Sequence, residues 1–253
     1  TACAYRMDYQ HEKIKTTLKR RTGYMIGIIG AMPVEVDGLT AILNEKQGEA
    51  VSGIVFYQGK ISGVSCVVAC CGPGKVNAAV CTQAMLMRYP VSLVINTGVA
   101  GGIGPGVRIG DLVVAEGVVQ HDFDTSPLDG VKGLLPVLNE VVVPTDQAAS
   151  DTLLQCARRV YDGNVTRGIV ATGDQFISGG EQAAKIRGDF GADACEMEGG
   201  SIGQVCALNK IPFAVIRAIS DHGDDEASVD FPAFASQAAQ KSIELLKTAL
   251  PLL

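Results

Sequence analysis

Ala194-Cys-Glu-Met-Glu-Gly-Gly200 and, after a helix-like span, Phe213-Ala-Val-Ile-Arg-Ala-Ile-Ser-Asp221 are the segments whose reading decides the fold. Residues 192–197 and 212–220 form two apolar runs, and each ends where the pattern turns to carboxylates or hydroxyls. Such runs read as strands of an α/β sheet, in which ligands bind beyond the carboxyl ends. If the two strands are parallel, Glu198, Arg217, Ser220 and Asp221 converge on one crevice.

Upstream, the alternation of strands and helices is regular. Residues 25–29 are a short apolar run bounded by Gly30, and 34–43 carry helical spacing at Val36, Leu39 and Leu43. Residues 53–59 and 64–71 read as a hairpin, followed by Gly72-Pro-Gly-Lys75 and a helix over 76–88 that stops at Pro90. Strands are expected at 92–96, 111–119, 140–143 and 165–172, and helices at 150–161, 181–190 and 231–250. This order predicts a single α/β domain, a mixed twisted central sheet flanked by helices, over residues 25–253.

Composition narrows the function classes. The 253 residues are 47% hydrophobic and 19% charged, with a net charge of −6. That balance describes a globular chain and argues against general affinity for nucleic acid or an anionic membrane. No apolar run approaches the roughly 18 residues of a membrane span. The expected partners are a small molecule and a second copy of the chain. Eight cysteines lie mostly in apolar patterns without a C-x-x-C pair, and there are three histidines, so no metal-ligand spacing is present. The cysteines read as buried apolar residues of a reducing, cytoplasmic protein. Residues 1–24 hold six Lys and Arg without an apolar core, which is no secretory signal. They are expected to be a disordered or helical extension, dispensable for activity.

Several motifs have a plain reading beside a functional one. Gly27-Ile-Ile-Gly30 lacks the G-x-G-x-x-G spacing of a dinucleotide site, and Gly72-Pro-Gly-Lys75 lacks the P-loop pattern, so it reads as a tight turn. Thr97-Gly-Val-Ala-Gly-Gly102 lets backbone approach either a ligand or another strand. By spacing alone, Glu35 is an exposed first-turn carboxylate favoured by the helix dipole. Of Glu196 and Glu198, one can be a helix-start carboxylate without chemistry, and Asp221 can be an ordinary turn residue.

Taken together and in order, five motifs carry more. Gly30-Ala-Met-Pro-Val-Glu35, Thr97-Gly-Val-Ala-Gly-Gly102, Thr172-Gly-Asp-Gln-Phe-Ile177, Glu196-Met-Glu198 and Arg217-Ala-Ile-Ser-Asp221 resemble the bacterial 5'-methylthioadenosine/S-adenosylhomocysteine nucleosidases of the nucleoside phosphorylase superfamily. The resemblance runs from about residue 25 to the end. It implies a nucleoside phosphorylase-like fold and a hydrolase that releases adenine from 5'-thioether nucleosides. It also implies a homodimer with no metal or organic cofactor.

By that resemblance, Glu35 activates water and Asp221 protonates purine N7. Glu198 holds the ribose hydroxyls with Met197 along the sugar, Phe176 stacks on adenine, and the Ile177 backbone reads its edge. Arg217 and Ser220 position the water and Asp221, Ala100 and Gly101 bind substrate, and Met32 and Phe231 line the alkylthio pocket. Glycosidic cleavage builds positive charge on the sugar and negative charge on the base, so an acid and a base in different environments suit it.

Hexameric phosphorylases of the superfamily carry arginine in the first strand-to-helix turn, where this chain has Pro33, Val34 and Glu35. An acidic group there repels phosphate and favours hydrolysis; a phosphorylase and a non-catalytic nucleoside-binding member are the alternatives. Departures from the nucleosidase pattern are Val99 in place of a water-orienting Ser or Thr, Cys71, Pro73 and the Gly199-Gly200 pair, which loosens a helix start. His121-Asp122 matches a family His-Asp pair or is a surface turn. The 5'-substituent is not legible in the sequence.

Overall fold

A 12-residue strand, Val91–Gly102, runs through the middle of the molecule and pairs with three neighbours. The computed structural model describes residues 24–253, so the readings made for residues 1–23 lie outside it. In chain order, β1 (Met25–Gly30) leads into α1 (Pro33–Ala41). An antiparallel meander follows, of β2 (Asn44–Val51), β3 (Ile54–Ile61) and β4 (Val64–Cys70), before α2 (Lys75–Arg88) and the long β5 (Val91–Gly102). Next come β6 (Leu112–Gln120), the single-turn α3 (Ser126–Asp129), β7 (Val143–Pro144) and α4 (Gln147–Val160). The chain ends with β8 (Val165–Thr172), α5 (Gly180–Phe190), β9 (Ala192–Glu196), α6 (Gly199–Asn209), β10 (Phe213–Asp221) and α7 (Ala227–Ala249).

The sheet order is β10-β6-β8-β9-β5-β1-β4-β3-β2, and β10 also pairs with β5. Strands β5, β10, β6, β8 and β9 therefore close into a ring, with β1, β4, β3 and β2 extending from it as an open wing. Alternation along β1 separates two cores. Ile26 and Ile28 face α1, α4 and α7, whereas Ile29 faces α2 and α6. Seven cysteines, Cys66 to Cys206, are free and mostly buried, in line with their apolar reading. Among the described residues, no helix is long and apolar enough to cross a membrane.

Several expectations change. Strands β9 and β10 are not parallel: β10 runs parallel to β5 and β9 antiparallel to it. The pairs Gly102↔Ala194 and Gly101↔Cys195 send β9 back along the carboxyl end of β5. The crevice thus forms by closure of the ring rather than at one edge of a parallel sheet. The strand expected at 92–96 runs on through the glycine-rich 97–102 segment. Strand β2 went unforeseen because both of its faces are solvent-exposed and its sequence lacks an alternating apolar signal. Of residues 140–143 only Val143 enters a strand, the two-residue β7, and α7 begins at Ala227, ahead of Pro232, which the helix accommodates in its second turn.

Helix α6 sits close on the ring because Gly203 has no side chain. A Cβ there would lie 2.8 Å from the Phe213 ring and from Val118 Cγ2. Gly203→Ala is expected to cost about 1–3 kcal/mol through overpacking, read by urea denaturation; unchanged stability would contradict this packing.

Candidate active site

The turn after β1 makes the first carboxylate. Pro33 at the start of α1 fixes the helix entry, and Glu35 in the first turn folds back over it. Glu35 Oε2 accepts the N–H groups of Ala31 (2.7 Å) and Met32 (2.9 Å), and Oε1 accepts that of Val99 (3.0 Å). At 4% exposure it is no surface carboxylate, which corrects the plain reading of Glu35. Burial raises its pKa, against the opposing pull of Arg217 and the three amides. Glycine is required opposite it: a Cβ at Gly98 would stand 2.7 Å from Glu35 Oε1 and 2.8 Å from Arg217 Nη1.

The end of β10 makes the second. Asp221 Oδ2 accepts the Ser220 hydroxyl (2.9 Å) and Oδ1 the N–H of Gly223 (2.9 Å), a residue at φ 62° that turns the chain. The turn role foreseen for Asp221 is real, yet the group is 3% exposed and lines a cavity. Burial pushes its carboxyl up as well, more than Gly223 and Ser220 lower it. A Cβ at Gly101 would lie 2.7 Å from Asp221 Oδ1. The 97–102 segment therefore admits both a carboxylate and a neighbouring strand.

Glu196 and Glu198 divide two roles. Glu196 starts α6, accepting from the N–H groups of Glu198 and Gly199 and from the Thr172 hydroxyl. It also binds Arg217, whose Nη2 reaches Asn96 Oδ1. Glu198 takes one N–H, from Gly74 (2.9 Å), and its other oxygen stands 4.0 Å from Arg217. Burial and then Glu196 push Glu198 up to about 7. The Gly72–Lys75 turn is thus more than a turn, since its amide orients a site carboxylate. The Gly199-Gly200 helix start is held from outside, by Glu196 and by the Thr172 hydroxyl at 2.6 Å from Gly200 N.

These elements enclose a cavity of about 280 Å³, at the small end of the range of roughly 300–1,000 Å³ typical of small-molecule sites. Glu35, Asp221, Glu198, Met197, Phe176, Ile177, Ser220, Ala100, Gly101, Met32 and Phe231 all line it. Arg217 is not among the lining residues; fully buried, it faces Glu196 and Asn96. Phe176 is 47% exposed and meets Phe231 edge-on at 5.6 Å. Ala31, Pro73, Gln175 and Cys195 also line the cavity and were not foreseen. Pro73 was within reach, inside the turn 72–75; Cys195 sat unmarked in an apolar run. His121 is buried at 7% exposure beneath Gly173, which overturns its surface-turn reading. Among the described residues, no group of three or more His, Cys, Asp or Glu could hold a metal ion.

Two outcomes test this electrostatics. Glu196→Gln strands a buried guanidinium and should cost roughly 3–5 kcal/mol in denaturant titration; near-parental stability would refute the pair's importance. Because the folded-state pKa of Glu198 lies above its usual 4.5, its contribution to stability is complete below pH 4.5 and is lost as pH rises toward about 7. Glu198→Gln should flatten the fall in stability over that window, and an unchanged slope would contradict the assignment.

Comparison with known proteins agrees with the geometry. A family model described as the phosphorylase superfamily matches residues 25–251. A 5'-methylthioadenosine/S-adenosylhomocysteine nucleosidase of Actinobacillus succinogenes is 37% identical over 225 residues, covering 87% of this chain and 96% of that protein. The crystal structure of the Neisseria meningitidis nucleosidase with methylthio-immucillin-A superimposes with a TM-score of 0.87 at 32% identity, covering 90% and 99% of the two chains. A futalosine hydrolase of Helicobacter pylori gives 0.86 at 33% identity, covering 91% and 98%. The chain belongs to the phosphorylase superfamily and, within it, to the enzyme family of 5'-methylthioadenosine/S-adenosylhomocysteine nucleosidases.

Proposed function

We propose that this protein hydrolyses the N-glycosidic bond of 5'-methylthioadenosine and S-adenosylhomocysteine, releasing adenine, with Glu35 as the base and Asp221 as the acid. The observation that carries this reading is the Glu35 carboxylate seated on three backbone N–H groups in the same cavity as Asp221. Those amides are the donors with which a phosphate dianion would be held. A resident carboxylate fills them and repels a second anion, which favours water as the nucleophile over phosphate.

The two acids meet β5 at Gly98 and Gly101, three residues and therefore roughly 10 Å apart along the strand. That spacing suits a sugar with water on one side and purine on the other. Asp221, raised by burial, is suited to deliver a proton to N7 as charge builds on the leaving base. Glu35 takes a proton from water, while Glu198 bonds the ribose hydroxyls and stabilises positive charge on the sugar ring. Val99 offers its N–H to Glu35 but no hydroxyl to the water, so orientation of the water falls to Glu35. Arg217 acts from behind, through the carboxylates it holds.

Phe176 stacks on adenine, the Ile177 backbone reads its edge, and Met32, Phe231 and Pro73 give an apolar 5'-pocket. Among the described residues the cavity lining holds no Lys or Arg, which favours an alkylthio group over an anionic 5'-extension. The homodimer belongs to the same proposal. Val76, Val80 and Met87 form an exposed apolar stripe along α2, which a second copy would cover; sedimentation would read a dimer.

Incubation with methylthioadenosine should release free adenine equally with and without phosphate; release only with phosphate would overturn hydrolysis. Asp221→Asn and Glu35→Gln should each lower turnover by at least about 10²-fold in a folded protein. The rate should rise as pH passes the raised pKa of Glu35 and fall as it passes that of Asp221. A profile flat from acid to neutral pH would contradict that division of labour.

A further inference from the structure

Three segments that the proposed mechanism treats separately are tied together outside the cavity. The first is the loop 173–178, which carries Phe176 and Ile177. The second is the turn 72–75, whose Gly74 N–H holds Glu198. The third is the end of β6, where Asp122 follows the buried His121. Asp122 joins the other two: its Oδ1 takes Lys75 Nζ at 2.6 Å, and its Oδ2 takes the N–H of Asp174 at 2.8 Å. Asp174 closes the circuit, its Oδ1 accepting Lys75 N–H at 2.7 Å.

The circuit is built rather than incidental. The Lys75 and Asp122 side chains are only 19% and 20% exposed, so the pair is partly withdrawn from solvent. Burial pushes the Asp122 carboxyl up, but Lys75 and the Asp174 amide outweigh it and leave it below the usual carboxylate range. Gly74 sits at φ 99°, in the left-handed region, and a Cβ there would stand 3.0 Å from Asp174 Oδ1. The Ser201 hydroxyl ties Lys75 O to α6, the helix that follows Glu198.

We propose that Asp122 is a positioning residue: by clamping the 173–178 loop to the 72–75 turn, it sets the adenine-binding and ribose-binding halves of the cavity in one fixed relation. It does not line the cavity. Its effect passes through Asp174 to Phe176 and Ile177, and through Lys75 and Gly74 to Glu198. Pre-set loops bind more tightly because less ordering remains to be done on binding. The inference rests on the adenine-releasing function proposed above.

The test compares the parent enzyme with Asp122→Asn, Lys75→Met and the double variant. The readouts are adenine Kd by calorimetry, KM and kcat with methylthioadenosine, and amide exchange of residues 173–178 without ligand. Asp122→Asn should raise adenine Kd and KM together by at least about threefold, lower kcat by a smaller factor, and speed exchange in that loop. The double variant should lose no more than the worse single one, since both break one clamp. A smaller rise in Kd and KM, losses that multiply, or a lowered thermal midpoint with unchanged KM would overturn the proposal. Failure of the parent to bind or release adenine would instead sink the functional reading, which separates the two failures.

Discussion

One buried positive charge governs the architecture of the site. Arg217 is 1% exposed in the centre of β10, and such a charge is tolerated only when paired and hydrogen-bonded. Glu196 and Asn96 meet that demand directly, while Glu198 and Glu35 lie within its field. Removing the guanidinium would leave three carboxylates facing one another in a low-dielectric interior. Lysine would not replace it, because the planar fork serves Glu196 and Asn96 at once. The price of that charge is a backbone that can come close, and Gly98 on β5 supplies it.

From this pairing follows the different behaviour of otherwise similar side chains. Glu196 is committed to Arg217 and to the start of α6, and it is structural although it borders the cavity. Glu198 has one backbone donor and a distant guanidinium, so it keeps bonding capacity for a ligand. Glu35 is held by amides, and Asp221 by the Gly223 N–H and the Ser220 hydroxyl of its own turn. Four acids in one cavity wall thus have four environments, and environment is what separates an acid from a base at a common pH.

Much of this was legible in the residues. The apolar runs of β1, β8 and β10 and the breaks at Gly30 and Pro90 mark their elements by pattern alone, and the five ordered motifs name the family. What pattern could not carry was closure of the ring: β9 lies parallel to β8 and joins β5 antiparallel over two residues, a pairing that leaves no local signal. Strand β2 was hidden by the solvent exposure of both its faces, and α7 by polar residues and a proline in its opening turns. Burial of Glu35 and His121 is likewise a tertiary fact, since a first-turn carboxylate and a His-Asp pair read as surface until neighbouring strands cover them. Withdrawal of Arg217 from the cavity needed its partner Asn96, which no motif singled out.

The most direct test of the central claim is a crystal structure with an uncleavable methylthioadenosine analogue bound. This account predicts Asp221 about 3 Å from purine N7, and Glu35 at a similar distance from a water on the opposite face of the sugar. A purine lying against Glu35, or both carboxylates on the same face of the sugar, would contradict it.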